Sequence, residues 1–100
     1  MNRELLFPTP VYTKEFPDFK NLNKHLFKYI KAWNKQSSGE TKTNAGGGWH
    51  SSTDMANKPE YALLVKHLST MAGEIFKDYG LESPYFLGNM WANINYPGSY

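Results

Sequence analysis

Tyr85-Phe-Leu-Gly-Asn-Met-Trp-Ala-Asn-Ile-Asn-Tyr96 is the stretch whose pattern decides the fold. Its side chains alternate. Phe86, Met90, Ala92 and Ile94 share one face, while Tyr85, Leu87, Asn89, Trp91, Asn93 and Asn95 share the other. A period of two predicts a strand. The first face has the makeup of a core surface set against helices. The second ends in aromatic and amide groups, an unusual lining for a plain core. Pro97-Gly98 then marks a turn.

Two stretches upstream have the helical period instead. From Asn21 to about Gln36, Leu22, Leu26, Ile30 and Trp33 recur at spacings of four, four and three, with Phe27 and Tyr29 flanking. Lys24, Lys28, Lys31 and Lys35 fall on the wet side. Asn21 suits the cap, and Ser37-Ser38-Gly39 the end. The second helix is predicted from about Pro59 to Tyr79, with Leu64, Leu68, Met71, Ala72, Ile75, Phe76 and Tyr79 on its apolar face. Gly80 stands where a left-handed terminator is expected. Before the helices, Leu5 to Thr13 reads as extended. Pro8 and Pro10 remove two ladder donors, so an edge strand is expected. Ser37 to Gly48 reads as a loop inside one domain. The elements sum to an α+β fold: two amphipathic helices packed on strands.

Composition excludes several classes. At 100 residues the chain is at most one domain. Without cysteine it has no disulfide scaffold, no Cys-ligated zinc and no thiol nucleophile. The net charge of +2 and the scattered lysines argue against a nucleic-acid partner, and the aromatic residues lack an accompanying basic stripe. Apolar runs are too short to span a membrane. A cytoplasmic location is expected.

Among the histidines, His25 and His67 sit on the helices and read as ordinary helix residues. His50 differs. It follows Gly46-Gly47-Gly48-Trp49 and precedes Ser51-Ser52-Thr53-Asp54, a combination that suits a binding rim or a tight loop-to-strand path. His50 and Asp54 could both ligate a metal, but a third protein ligand is absent nearby. Ser51 or Ser52 with His50 and Asp54 contains the residue types of a hydrolytic triad without a nucleophile elbow. The triple glycine lacks the Lys-Ser/Thr of a phosphate-binding loop.

Four segments taken together resemble a family. They are Leu6-Phe7-Pro8-Thr9-Pro10-Val11-Tyr12, Asn44-Ala-Gly-Gly-Gly-Trp49-His50-Ser51, Asp54-Met55 with Pro59 downstream, and Trp91-Ala-Asn93-Ile-Asn95-Tyr-Pro-Gly98-Ser-Tyr100. Their order and spacing resemble the 2-oxoglutarate/Fe(II)-dependent oxygenases of marine phages and bacteria. The resemblance covers the whole chain and implies strands that begin a double-stranded β-helix, or jelly roll. It implies Fe(II) and 2-oxoglutarate as cofactors of the complete domain. It places Asn93, Asn95, Tyr96 and Tyr100 toward 2-oxoglutarate, and Trp49 and His50 at the substrate rim.

The chain also departs from that family. Its members hold iron with a His-x-Asp/His pair and a distal His, and grip 2-oxoglutarate with a basic residue. By that pattern the first His falls a few residues after Tyr100. The resemblance therefore implies residues 1–100 to be the N-terminal half of an oxygenase-like domain, with no catalytic residue or iron ligand and no activity alone. A partial reading frame, a split gene or a degenerate remnant each fits. The strand of residues 85–96 would leave an open edge, through which a homodimer is expected. The substrate of the complete enzyme is unknown, a peptide side chain being the analogy. The alternative is a non-catalytic, phage-associated interaction or structural module derived from the same fold.

Overall fold

The computed structural model describes residues 1–4, 7–40, 47–82 and 87–99. Leu5, Leu6, Gly46, Tyr85, Phe86 and Tyr100, all used in the sequence reading, lie outside the described residues. The architecture is α+β. Helix α1 spans Phe19–Gln36 and helix α2 spans Ala62–Asp78. Strands β1, Trp49–His50, and β2, Asn93–Ile94, pair antiparallel with Trp49 opposite Ile94 and His50 opposite Asn93.

Helix α1 begins two residues earlier than its apolar pattern predicts. Asp18 takes the cap position at φ +51°, a left-handed conformation that Asp tolerates. Asn21, expected as the cap, lies in the first turn instead. Its amide donates to both Asp18 carboxylate oxygens at 3.1 Å. The other end follows expectation. The Ser37 N–H donates to the Trp33 carbonyl, and Gly39 turns the chain at φ +71°.

Helix α2 is entered through two 3-10 turns, Met55–Asn57 and Pro59–Tyr61, with Pro59 at the first position of the second. It closes as the sequence predicts. Gly80 has φ +72°, its N–H donates to the Lys77 carbonyl, and the Leu81 N–H reaches the Phe76 carbonyl. That pair of bonds is a Schellman termination, which satisfies carbonyls the helix would leave open.

The core joins these elements through aromatic rings. Trp33 of α1 meets Trp49 of β1 edge to face, with centroids 5.8 Å apart. Tyr61 packs at 5.7 Å from Trp33 and 6.5 Å from Tyr29. Met55 and Ala92 complete the buried cluster, flanked by Leu26, Ile30, Leu64, Met90 and Ile94. The Lys58 ammonium lies 4.8 Å above the Trp33 ring. The predicted stripe of α1 thus does face the core. Of the described residues of the predicted strand, Asn93 and Ile94 pair in a ribbon. A separate bridge joins Met90 to Asp54.

The expected N-terminal edge strand does not form over its described residues 7–13. Pro8 and Pro10 deny the ladder two donors, and side chains hold the segment instead. It runs as a strap on α2. The Tyr12 hydroxyl donates to Asp78 at 2.7 Å, Lys14 pairs with Glu74 at 2.8 Å, and Phe16 stacks on His67 at 5.2 Å. The strap leaves an open cavity against Met71 and Ile75, and no residue of α2 is fully buried. The Asp78 hydrogen bond, followed by desolvation, holds the Tyr12 phenol well above the ordinary tyrosine range. The tie is therefore complete at neutral pH and is lost only as pH climbs past that range. Tyr12→Phe is expected to speed proteolytic cleavage within residues 7–17 severalfold and leave the melting temperature close to that of the parent. Limited proteolysis beside a thermal melt checks both.

Candidate functional site

The ribbon creates the site because its two faces differ. Trp49, Ser51, Met90, Ala92 and Ile94 turn inward, while His50, Trp91, Asn93 and Asn95 lie on the opposite face. Directly opposed residues of an antiparallel pair project to the same side, so the register places His50 beside Asn93. Trp91, diagonal to His50, stacks on its ring at 5.2 Å with 18° between planes.

Ser51 fixes this arrangement. It is fully buried, and its hydroxyl accepts the Ala92 N–H at 2.9 Å while donating to the Ser52 carbonyl at 2.8 Å. The Ser51 N–H donates to the Ala92 carbonyl. The hydroxyl thus takes the ladder role of its own carbonyl. That carbonyl turns to His50 Nδ1, 2.6 Å away. A carbonyl only accepts, so Nδ1 is the donor in this contact. Ser51→Ala leaves the buried Ala92 N–H without a partner, and is expected to cost about 2 kcal/mol. A urea melt, with faster amide exchange at Ala92, checks this.

Gly39 brings the end of α1 against β1. The Glu40 N–H donates to the His50 carbonyl at 2.7 Å, and Trp49 Nε1 donates to the Ser37 carbonyl at 3.0 Å. These contacts cover the outer side of β1. Among the described residues, nothing pairs with the outer side of β2. There a groove of about 450 Å³ separates β2 from α1, lined by Phe27, Ile30, Lys31, Asn34, Asn93, Ile94 and Tyr96.

The predicted site residues therefore part company. His50, Asn93 and Asn95 share one face. Asn93 and Tyr96 also reach the groove. Trp49, expected at a rim, has its side chain in the core at 6% exposure. A Gly-Gly-Trp-His run does not reveal which of two neighbours points inward. That follows from the pairing with Ile94 and Asn93. Lys31, placed by its spacing on the wet side without a site role, and Asn34, not singled out, bring an ammonium and an amide to the groove. Their signal was present in the edge of the α1 wet face, four residues after Phe27 and Ile30 respectively.

The hydrolase arrangement does not form. Ser51 is buried in backbone bonds, and the Ser52 hydroxyl donates to Asp54 at 2.6 Å, away from any His. The same bond holds the Asp54 carboxyl below its ordinary value. Nor do the described residues fit an iron centre. No three His, Asp or Glu side chains among them converge. No helix among the described residues is long and apolar enough to cross a membrane. No family model, curated protein or solved structure matches the chain.

Proposed function

We propose that the chain supplies the helical shell and leading strands of a 2-oxoglutarate/Fe(II)-dependent dioxygenase domain. In this reading further strands continue the ribbon into a jelly roll. One observation carries it: two blocks of the family resemblance, forty residues apart in sequence, meet as β1 and β2. A two-stranded ribbon is marginal alone, and its open β2 edge suits continuation by later strands. The incompletely covered α2 is a second surface that additional structure would bury.

The residues present set the chemistry this part can contribute. Iron does not fit them, so no step is assigned to a metal here. Asn93 and Tyr96, beside the Lys31 ammonium, form a donor set suited to one carboxylate of 2-oxoglutarate. His50 and Trp91 would lie on the neighbouring substrate-facing side. A non-catalytic interaction module is the second reading, and the open β2 edge suits a partner strand or second copy equally well.

Titration with Mn(II) standing in for Fe(II), with 2-oxoglutarate present, tests the assignment of roles. The chain alone is expected to bind the metal no tighter than about 100 μM. A longer protein that continues it is expected to bind tighter and to release CO2 from 2-oxoglutarate. Tight metal binding by residues 1–100 alone contradicts the division of roles. An inert longer protein favours the interaction module.

A further inference from the structure

Helix α1 contains five lysines, Lys20, Lys24, Lys28, Lys31 and Lys35, and no acidic residue. All five are exposed. Their spacings of four, four, three and four wind them into a single stripe. At 3.6 residues per turn they fall within roughly 80° of the circumference, over a length of about 22 Å. None has an ion-pair partner among the described residues, where the recorded pair is Lys14 with Glu74. A net charge of +2 therefore conceals a concentrated basic edge, because the acidic residues lie outside the helical residues of α1, Asp18 at its cap being the nearest before it.

Phe27 stands at the border of this stripe. It is 68% exposed, and the Lys31 ammonium lies 5.0 Å from its ring centroid. We infer that this face of α1 binds single-stranded nucleic acid, the lysines tracking phosphates while Phe27 stacks a base. The length decides in favour of a polymer. A row about 22 Å long passes several consecutive phosphates of one strand, more than a single small anion could span. An outward phenyl ring beside ammonium groups matches the stacking platform of sequence-tolerant single-strand binders. A lipid surface suits the face less well. Interfacial helices bury an apolar face in lipid, whereas the apolar face of α1, where Leu22 and Trp33 are buried, is already turned to the core of this chain.

Fluorescence anisotropy of a labelled twenty-residue oligothymidylate, titrated with the full chain, tests the inference. At about 50 mM salt a Kd near 10 μM is expected, with log K falling against log salt at a slope of about −3. The triple variant K24Q/K28Q/K31Q is expected to bind at least about tenfold more weakly with a reduced slope. Phe27→Ala is expected to lose severalfold, and Lys66→Gln, on α2, to bind as the parent. Circular dichroism confirms that each variant is folded. Absence of binding overturns the inference. So does an undiminished triple variant, or binding confined to phosphatidylserine vesicles or to polyglutamate.

Discussion

Gly39→Ala is expected to destabilise the chain by about 3 kcal/mol, lowering the melting temperature by roughly 15 °C. Two causes combine. Gly39 has φ +71°, where an L side chain costs about 1–2 kcal/mol. The added Cβ would also run into the His50 carbonyl oxygen and lie 2.7 Å from Trp49 Nε1. The carbonyl is backbone and cannot swing aside. To relieve the overlap, the end of α1 must leave β1, breaking the bonds from Glu40 N–H and Trp49 Nε1. Gly80→Ala separates the causes. Gly80 has φ +72° but nothing within 4 Å of a built Cβ, so about 1 kcal/mol is expected there. Equal losses at the two sites would contradict the close approach at Gly39. Thermal melts of both variants decide it.

The second large effect is at Tyr61, where two substitutions should diverge. The ring is 1% exposed and packs on Trp33 and Tyr29, so Tyr61→Ala is expected to cost about 3–5 kcal/mol. Its hydroxyl is buried without a hydrogen-bond partner among the described residues. Tyr61→Phe removes that oxygen and keeps the ring, so a neutral change or a gain of about 1 kcal/mol is expected. Burial raises the Tyr61 phenol pKa above its ordinary value. The sign follows directly. The neutral phenol is favoured in the fold, so its contribution is complete below the unfolded tyrosine pKa. It fades as pH rises through the higher folded value. Tyr61→Phe should therefore lose less stability than the parent in strongly alkaline urea melts. A loss like that of Tyr61→Ala would mean that the hydroxyl has an essential partner.

Periodicity made much of this fold legible before any coordinates. Leu22, Leu26, Ile30 and Trp33 could share a face only on a helix, and Gly80 after Tyr79 marked a stop. The alternation from Met90 to Asn95 separated Ala92 from Trp91 and Asn93 because burial along a strand has a period of two. What could not be read depends on partners distant in sequence. The Phe7–Thr13 segment has the β-branched and aromatic content of a strand. Its hold, however, is on α2 side chains some sixty residues away, Asp78 for Tyr12 and, just past the segment, Glu74 for Lys14. The inward turn of Trp49 required its pairing with Ile94. Ser51 stood among the residue types of a triad without a nucleophile elbow, and its role as acceptor for the Ala92 N–H depends on a pairing about forty residues away. The basic edge of α1 was hidden differently. The helical period already put Lys24, Lys28, Lys31 and Lys35 on the wet side, but that these lysines have no acidic partner among the described residues required the fold.

The open side of β2 links the structural and functional readings. Asn93 stands in the His50 face and also borders the groove that contains Lys31 and Tyr96. A continued sheet would cover the Asn93 and Tyr96 side of that groove and leave the outer edge of α1 open, converting an exposed ribbon into the wall of a pocket. That is the step from a marginal two-stranded element to a site able to exclude water.

The most direct measurement is the nucleotide sequence that follows the Tyr100 codon in the source DNA. The dioxygenase reading predicts an open frame that soon encodes a His-x-Asp or His-x-His pair, and later a distal His and a basic residue. A continuing frame without those ligands would contradict it, as would a stop codon directly after Tyr100 with no neighbouring frame that encodes them.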